Sequence, residues 1–386
     1  MDRGILKEDT WKPGLRPPRA LTLAITGICN LTCGHCLVEG GPKAREPHVP
    51  ADTVRRIVSE FAALGGEEIY ITGGEPLLHP RWLDILTFCC EQQSFTSVVV
   101  QTNAALLGDA RVRAMCALQF EGLAIQVSLD GSSPHTHDRV RGRGTFVRSV
   151  DGIRRLRAAG LGGRVSVAFT EMRHNMEDIP ALLELVEELG LRRLVSGTLV
   201  KQGRAAATDV APPTPEQYRA LLSRYGADPG FRELCDRYGN IAALEWWKGR
   251  SGAGSECCTF VEHPYLTAEG TIYPSAVCRA DDFAVFDAFD KPLAAALLEG
   301  KPKWFQLLEL SRLRSSNLPA CKGCEGEIHC AGGCMGRAHA AAGTFMAVED
   351  RCELRKAVYS WREQREPGAD PDTELGAMTG RGHGHT

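Results

Sequence analysis

Six short runs of β-forming residues recur between residue 20 and about residue 200, each followed by a stretch with helical spacing, and this alternation constrains the fold more than any other feature of the chain. The runs are LTLAIT from Leu21, EEIYIT from Glu67, FTSVVV from Phe95, LAIQVSL from Leu123, RVSVAFT from Arg164 and RRLVSGTLV from Arg192. Repeated βα units imply parallel strands joined by crossover helices. Several runs are nearly continuous Val, Ile and Leu, which predicts strands buried on both faces. The expected architecture is α/β: a partial (β/α)6 TIM-like barrel over residues 20–225, after an N-terminal extension of residues 1–19. The stretch PPTPEQYRALLSRYG from Pro212 reads as the proline-marked start of one more helix. From about Phe231 the rhythm stops. Residues 226–362, rich in Gly, Cys and turn residues, are expected to form a small cysteine-rich α+β domain held by metal rather than by a large core. Residues 363–386 are expected to be a disordered polar tail in which His383 and His385 stay uncommitted.

The chain has 386 residues with 45 basic and 48 acidic side chains. So even a balance gives no electrostatic footprint for nucleic acid or an anionic membrane surface. No apolar run is long enough to span a bilayer, and MDRGILKEDTWKPGLRPPR at the N-terminus lacks the apolar centre of a secretory signal, so a cytoplasmic location is expected. There are 15 cysteines. In a reducing compartment, clustered cysteines read as metal ligands rather than disulfides. Cys89, Cys90, Cys116 and Cys235 stand outside the clusters and are expected to be structural thiols.

Cys29, Cys33 and Cys36, in GICNLTCGHC, follow the first strand. A cubane iron-sulfur cluster normally takes four thiolates, so three leave one iron open, and an open position implies chemistry. The same spacing also allows a zinc knuckle completed by His35 or His48. In parallel α/β folds chemistry gathers at the C-terminal ends of the strands, and the unusual residues fall there. Gly73, Gly74, Glu75 and Pro76 follow the second strand, Gln101, Thr102 and Asn103 the third, and Ser128, Leu129, Asp130 and Gly131 the fourth. No Ser/His/Asp set or carboxylate pair stands out, and no catalytic side chain is assigned.

These motifs, at these strand ends, resemble the radical S-adenosylmethionine (SAM) superfamily over about residues 18–225. The resemblance implies that Cys29, Cys33 and Cys36 hold a [4Fe-4S] cluster whose open iron chelates the methionine amino and carboxylate groups of SAM. It implies that Gly73, Gly74, Glu75 and Pro76 form the family's GGEP motif, with the glutamate receiving the methionine ammonium. Asn103, Ser128 and Asp130 would contact the polar groups of SAM, and Arg141, in HDRVRG, would pair with its carboxylate. The implied activity is reductive cleavage of SAM to a 5′-deoxyadenosyl radical, with flavodoxin or ferredoxin as reductant.

The array Cys321-x2-Cys324-x5-Cys330-x3-Cys334-x17-Cys352, preceded by Cys257, Cys258 and Cys278, resembles the SPASM domain of peptide-modifying radical enzymes. That implies one or two auxiliary iron-sulfur clusters: one on Cys321, Cys324, Cys330 and Cys352, another on Cys334 with Cys278 and either Cys258 or Cys257, Cys258 being preferred. Ser275 stands where many relatives carry cysteine, so the upstream cluster is expected to have only three protein ligands. Read without the family, the spacings also allow structural zinc. The expected function is radical modification of a ribosomally synthesised peptide by crosslinking, thioether formation, epimerisation or oxidation. Any leader would be recognised by the barrel rim or by a separate leader-binding protein. The alternatives are a small-molecule or tetrapyrrole-modifying radical enzyme, and a non-catalytic zinc or iron-sulfur peptide-binding scaffold. Trp246 and Trp247 are expected to be packing residues, His79 a local turn residue, His135 and His137 neighbours of the Arg141 pocket, and Asp281 and Asp282 solvated loop acids.

Overall fold

All six predicted strands form one parallel sheet in a computed structural model of the chain, which describes residues 15, 17–44, 48–249, 262–330 and 332–361. They are β1 (Ala20–Ala24), β2 (Glu68–Thr72), β3 (Ser97–Thr102), β4 (Leu123–Ser128), β5 (Val165–Glu171) and β6 (Arg193–Thr198). Each pairs in parallel with the next, so the C-terminal residues Thr72, Thr102, Ser128, Glu171 and Thr198 gather at one end of the sheet. Crossover helices such as Ala51–Ala63, Thr145–Ala158 and Ile179–Glu188 bury apolar stripes against it.

The strands are not uniformly buried on both faces. Burial alternates along β2, β4 and β5. Ile125 and Val127 pack into the core, while Gln126 and Ser128 line a cavity on the other face. Gln101 of β3 donates from Nε2 to Gln126 Oε1 across the sheet at 2.7 Å. The expectation of two-sided burial fails because the concave face encloses a cavity instead of a second core.

The C-terminal segment extends this same sheet at both edges. β7 (Gly239–Asn240) adds in parallel to β6, and β8 (Tyr265–Leu266) adds in parallel to β1, with β9 (Ile272–Tyr273) antiparallel beyond it. Two-residue strands carry little periodicity, which is why the sequence did not reveal them. The helix Pro215–Ala227 begins as expected, with Pro215 in its first turn and a capping box in which Thr214 and Gln217 exchange side-chain to backbone hydrogen bonds. A 25-residue helix, Leu293–Asn317, docks on Ala51–Ala63: Leu293 N donates to Glu60 Oε2 at 2.5 Å and Arg56 Nη2 to Phe289 O at 2.6 Å. Its Trp304 is fully buried and donates to Phe283 O at 3.0 Å.

Among the described residues no helix is long and apolar enough to cross a membrane. Cys257, Cys258, the tail 363–386 and nearly all of residues 1–19 lie outside the described residues.

Two glycines set the geometry of the cysteine loop. A Cβ on Gly74 would lie 2.2 Å from Ile28 O, and one on Gly73, at φ +140°, 2.2 Å from Thr26 O. Gly74→Ala is therefore expected to destabilise the fold by about 1–3 kcal/mol, whereas Gly163→Ala, with open space around it, should change stability by less than about 1 kcal/mol. Urea unfolding of the two variants beside the parent protein checks this.

Candidate cofactor site

The loop leaving β1 is held by backbone contacts before any side chain is considered. Gly74 N donates to Thr26 O at 2.7 Å and Glu75 N to Ile28 O at 2.8 Å, so the end of β2 is bound to the residues that lead into Cys29. From the other side, the segment after β6 covers the loop. Arg204 donates to the carbonyls of Cys33 (2.8 Å), Glu39 (3.0 Å) and Gly40 (2.8 Å), and its backbone N–H reaches Cys36 O at 3.0 Å. Gly203, at φ +55°, allows this approach, because a Cβ there would lie 2.3 Å from Leu37 O. Arg279, from the C-terminal segment, adds a bond to Leu37 O at 3.1 Å. Sequence reasoning missed Arg204 and assigned Arg279 no such role. The signal was available for Arg204, which follows the sixth strand where functional residues gather.

Cys29, Cys33 and Cys36 all line a cavity of about 610 Å³ at the C-terminal ends of the strands. Cys29 Sγ accepts from Leu31 N at 3.4 Å, and Asn103 Nδ2 lies 3.9 Å away. Burial pushes the Cys29 thiol up to about 12 and the Cys33 thiol up as well, with Arg141 opposing the latter. Such thiols are protonated in the free chain and would release protons on binding iron. Gly73, Gly74, Gln101, Thr102, Asn103, Ser128 and Arg141 line the same cavity. The structure therefore brings together, on one cavity wall, most of the side chains and glycines singled out at the strand ends.

Glu75, Pro76 and Asp130 are placed behind that wall instead. The Glu75 carboxylate is only 1% exposed and is fully engaged by its own chain: it accepts from Leu77 N (3.2 Å), Thr102 Oγ1 (2.7 Å) and Asn103 N (2.8 Å). This is the carboxylate expected to receive the methionine ammonium, and here its partners belong to its own chain. It ties β2 to β3 and so positions Thr102 and Asn103. Asp130 is likewise fully buried, receiving Arg141 Nε at 2.5 Å and Thr170 N at 2.8 Å, with His35 Nε2 3.2 Å away. Burial opposes its ionisation, but Arg141 and His35 hold its carboxyl down to about 2. The charge on Asp130 thus orients Arg141 toward the cavity. Burial drives His35 down to about 4, leaving a neutral imidazole beside Cys33 and Cys36.

The zinc-knuckle alternative would draw on His35 or His48. His35 Nε2 faces Asp130 and Arg141, and His48 Nδ1 lies 3.0 Å from Thr26 Oγ1. Among the described residues no three His, Cys, Asp or Glu side chains converge on a single-ion site. Three thiols around a roomy cavity with an N–H donor at sulfur fit a larger multi-iron group.

A second set of thiols is gathered elsewhere. Cys321, Cys324, Cys330 and Cys352 line one small pocket together with Arg355 and Lys356. Burial raises the Cys330 thiol to about 11, against the pull of Arg355. Cys334 is separated from these four and lines the main cavity beside Val277, while Cys278 is buried, with Gly336 pressed against its backbone. Ser275 Oγ accepts from Cys278 N at 3.1 Å and so fixes the turn that carries this cysteine. A hub missed by sequence reasoning links the two places: Glu349, 2% exposed, accepts from Cys334 N at 2.9 Å, from Arg351 Nη2 at 2.6 Å and from Arg355 Nε. Arg337 then fastens this region to the barrel through Thr198 O (3.0 Å), Leu199 O and Asp350 Oδ1 (2.7 Å).

The remaining singled-out residues stay out of the cavity. Trp246 and Trp247 pack on Tyr218, Tyr225 and Trp361. His79 bonds Val49 O at 2.8 Å, and buried His137 accepts from Asp130 N at 3.1 Å, whereas His135 is exposed. Asp281 and Asp282 are exposed in a turn. Cys89 and Cys235 are fully buried in the core.

Residues 23–186 match the description "Radical SAM superfamily". The chain is 31% identical over 206 residues to the AdoMet-dependent heme synthase of Methanosarcina barkeri, covering 53% of this chain and 57% of that protein. It is 33% identical over 181 residues to the PqqA peptide cyclase of Ruegeria pomeroyi, covering 46% of each. The chain thus spans about half the length of the curated relatives it matches. The fold is shared with native anSMEcpe with bound AdoMet at a TM-score of 0.68 and 16% identity, covering 88% of this chain and 96% of that one. Cavity, cysteine loop and matched segment agree: residues 23–186 form a radical SAM superfamily segment, and that family's cofactors are a [4Fe-4S] cluster and S-adenosylmethionine.

Proposed function

We propose that this protein is a radical SAM enzyme that modifies a ribosomally synthesised peptide. The observation that carries the enzymatic reading is the placement of Cys29, Cys33 and Cys36 on a cavity whose wall also presents Gly73, Gly74, Asn103, Ser128 and Arg141. In this reading the three thiolates hold the cluster, the strand-end residues hold SAM, and Arg141, oriented by Asp130, faces its carboxylate. When bound, the pair supplies one-electron reductive cleavage of SAM to a hydrogen-abstracting carbon radical.

The protein's own part is placement. The clamp of Arg204 and Arg279 on the loop carbonyls, with the Gly73–Gly74 approach, holds the thiolates in one arrangement. The cavity wall keeps its ionised carboxylate Asp130 behind Arg141, and among the described residues no acidic side chain lines the cavity. The pocket of Cys321, Cys324, Cys330 and Cys352 offers the four ligands of a closed auxiliary cluster, while Cys334, on the wall of the main cavity, and buried Cys278 would serve a second one. A reductant such as flavodoxin or ferredoxin completes the scheme.

The peptide assignment is supported by the likeness to the PqqA peptide cyclase and by the fold shared with anSMEcpe, also known with bound AdoMet and the Cp18Cys peptide. A second reading, a small-molecule or tetrapyrrole substrate, is favoured by the likeness to the heme synthase.

Three measurements check this reading. After anaerobic reconstitution with iron and sulfide, dithionite and SAM are expected to yield 5′-deoxyadenosine with the parent protein and none with the Cys29/Cys33/Cys36 triple alanine variant; equal yields would sink the assignment. Cys324→Ala is expected to lose iron from the auxiliary pocket while retaining cleavage, read by iron content and product chromatography on the same sample. Arg204→Leu should weaken retention of the N-terminal cluster roughly tenfold, as loss of an outer-shell partner does, measured as iron and sulfide surviving gel filtration of the Cys324→Ala background.

A further inference from the structure

Among the described residues the main cavity is lined by three arginines, Arg141, Arg337 and Arg351, and by no aspartate, glutamate or lysine. The carboxylates that pair with these cations stand outside the lining: Asp130 with Arg141, Asp350 with Arg337, and Glu349 with Arg351. Hydroxyls behave the same way. Ser196 and Thr198, both on the wall, turn toward the buried carboxylate of Glu171, accepted at 2.5 Å and 3.2 Å. A chamber built with cations on its surface and anions behind them is electrostatically matched to an anionic guest.

The three arginines are not equivalent. Arg141 lies beside Cys33 and belongs to the proposed cofactor site. Arg337 is consumed by structure, since Nε and Nη2 reach Asp350 and Nη1 reaches Thr198 O. Arg351 spends Nε and Nη2 on one oxygen, Glu349 Oε2, at 3.0 Å and 2.6 Å, and its guanidinium lies 4.9 Å from the centre of the Trp246 ring. Among the described residues its Nη1 edge has no hydrogen-bond partner. The guanidinium is thus fixed in orientation by Glu349 and Trp246 while one donor edge is left over on a cavity wall.

We propose that Arg351 binds a carboxylate of the substrate, on the β6 side of the cavity, with Arg337 adding its charge. This deepens the reading above, because it takes the cavity to be the substrate chamber. The shared chemistry is a carboxylate, which a peptide C-terminus, an acidic side chain or a tetrapyrrole propionate could each supply.

The test uses the full chain reconstituted with iron and sulfide, and equilibrium dialysis read by mass spectrometry. Three probe pairs are compared: a random hexapeptide pool lacking Asp and Glu with a free C-terminus against the same pool amidated; an amidated hexapeptide pool with a central Glu against one with Gln; and coproporphyrin against its tetramethyl ester. In at least one pair the parent protein should retain the acid about tenfold more than the neutral partner, the scale of one charge-assisted contact. Arg351→Gln should remove that preference and Arg351→Lys should restore part of it, and the responding pair names the source of the carboxylate. Equal retention of acid and neutral members in all three pairs, including none at all, overturns the proposal without needing any variant to fold; so does a preference that survives Arg351→Gln. Formation of 5′-deoxyadenosine by the parent protein is scored separately. Its absence would strike the proposed function and leave the carboxylate result standing.

Discussion

Two backbone hydrogen bonds, Gly74 N to Thr26 O and Glu75 N to Ile28 O, fix where the first cysteine of the loop can lie, and the rest of the site is arranged around them. They require that two consecutive residues after β2 carry no side chain, since a Cβ on either would enter the backbone of Thr26–Ile28. With that contact made, Glu75 turns inward and binds Thr102 and Asn103 at the end of β3. Asn103 in turn reaches Asn30, next to Cys29, at 3.0 Å. The second and third strand ends and the cysteine loop are thereby one hydrogen-bonded unit, and none of its internal bonds depends on a cofactor.

The electrostatics follow one rule across the cavity. Apart from the exposed Asp350, the carboxylates behind the wall are buried, and cationic or hydroxyl groups stand in front of them, as with Asp130 behind Arg141 and Glu171 behind Ser196 and Thr198. A buried carboxylate is tolerable only when it is paired or amply hydrogen-bonded, and each of these is. The arrangement lets the wall be polar while its carboxylates are paired or hydrogen-bonded behind it. It also divides labour among residues that look alike in sequence: Arg141, Arg204, Arg337 and Arg351 are all partly or fully buried arginines, yet one faces the cavity from a carboxylate, one clamps carbonyls, one fastens the C-terminal segment, and one keeps an edge without a partner among the described residues.

The six strands and the helix beginning at Pro215 were legible because local signals agreed: β-branched runs, a proline at the helix start and a Thr/Gln pair at the capping-box spacing all favour the conformations that formed. The cysteine spacings were legible too, and Cys321, Cys324, Cys330 and Cys352 do meet in one pocket while Cys334 goes to the other cavity. Less legible were β7, β8 and β9, two residues each, which form only because β1 and β6 offer open edges. Arg204 had only its place after the sixth strand to mark it, and Glu349 and Arg351 gave no signal strong enough to single them out, since an arginine or glutamate in a polar stretch usually remains solvated.

By itself, then, the sequence determined the parallel α/β frame, the loop that carries Cys29, Cys33 and Cys36, and the strand ends where polar residues gather, because each is set by local patterning that survives in any packing of these elements. Only the tertiary structure decided which of those residues face the cavity. Glu75 and Asp130 were drawn behind the wall, Arg351 was brought forward to it from more than 300 residues beyond the cysteine loop, and the C-terminal segment was joined to both edges of the barrel sheet. The reason is physical: whether a charged side chain meets solvent, a cofactor or a buried partner depends on what the chain's distant parts place beside it, and that neighbourhood has no counterpart in local sequence.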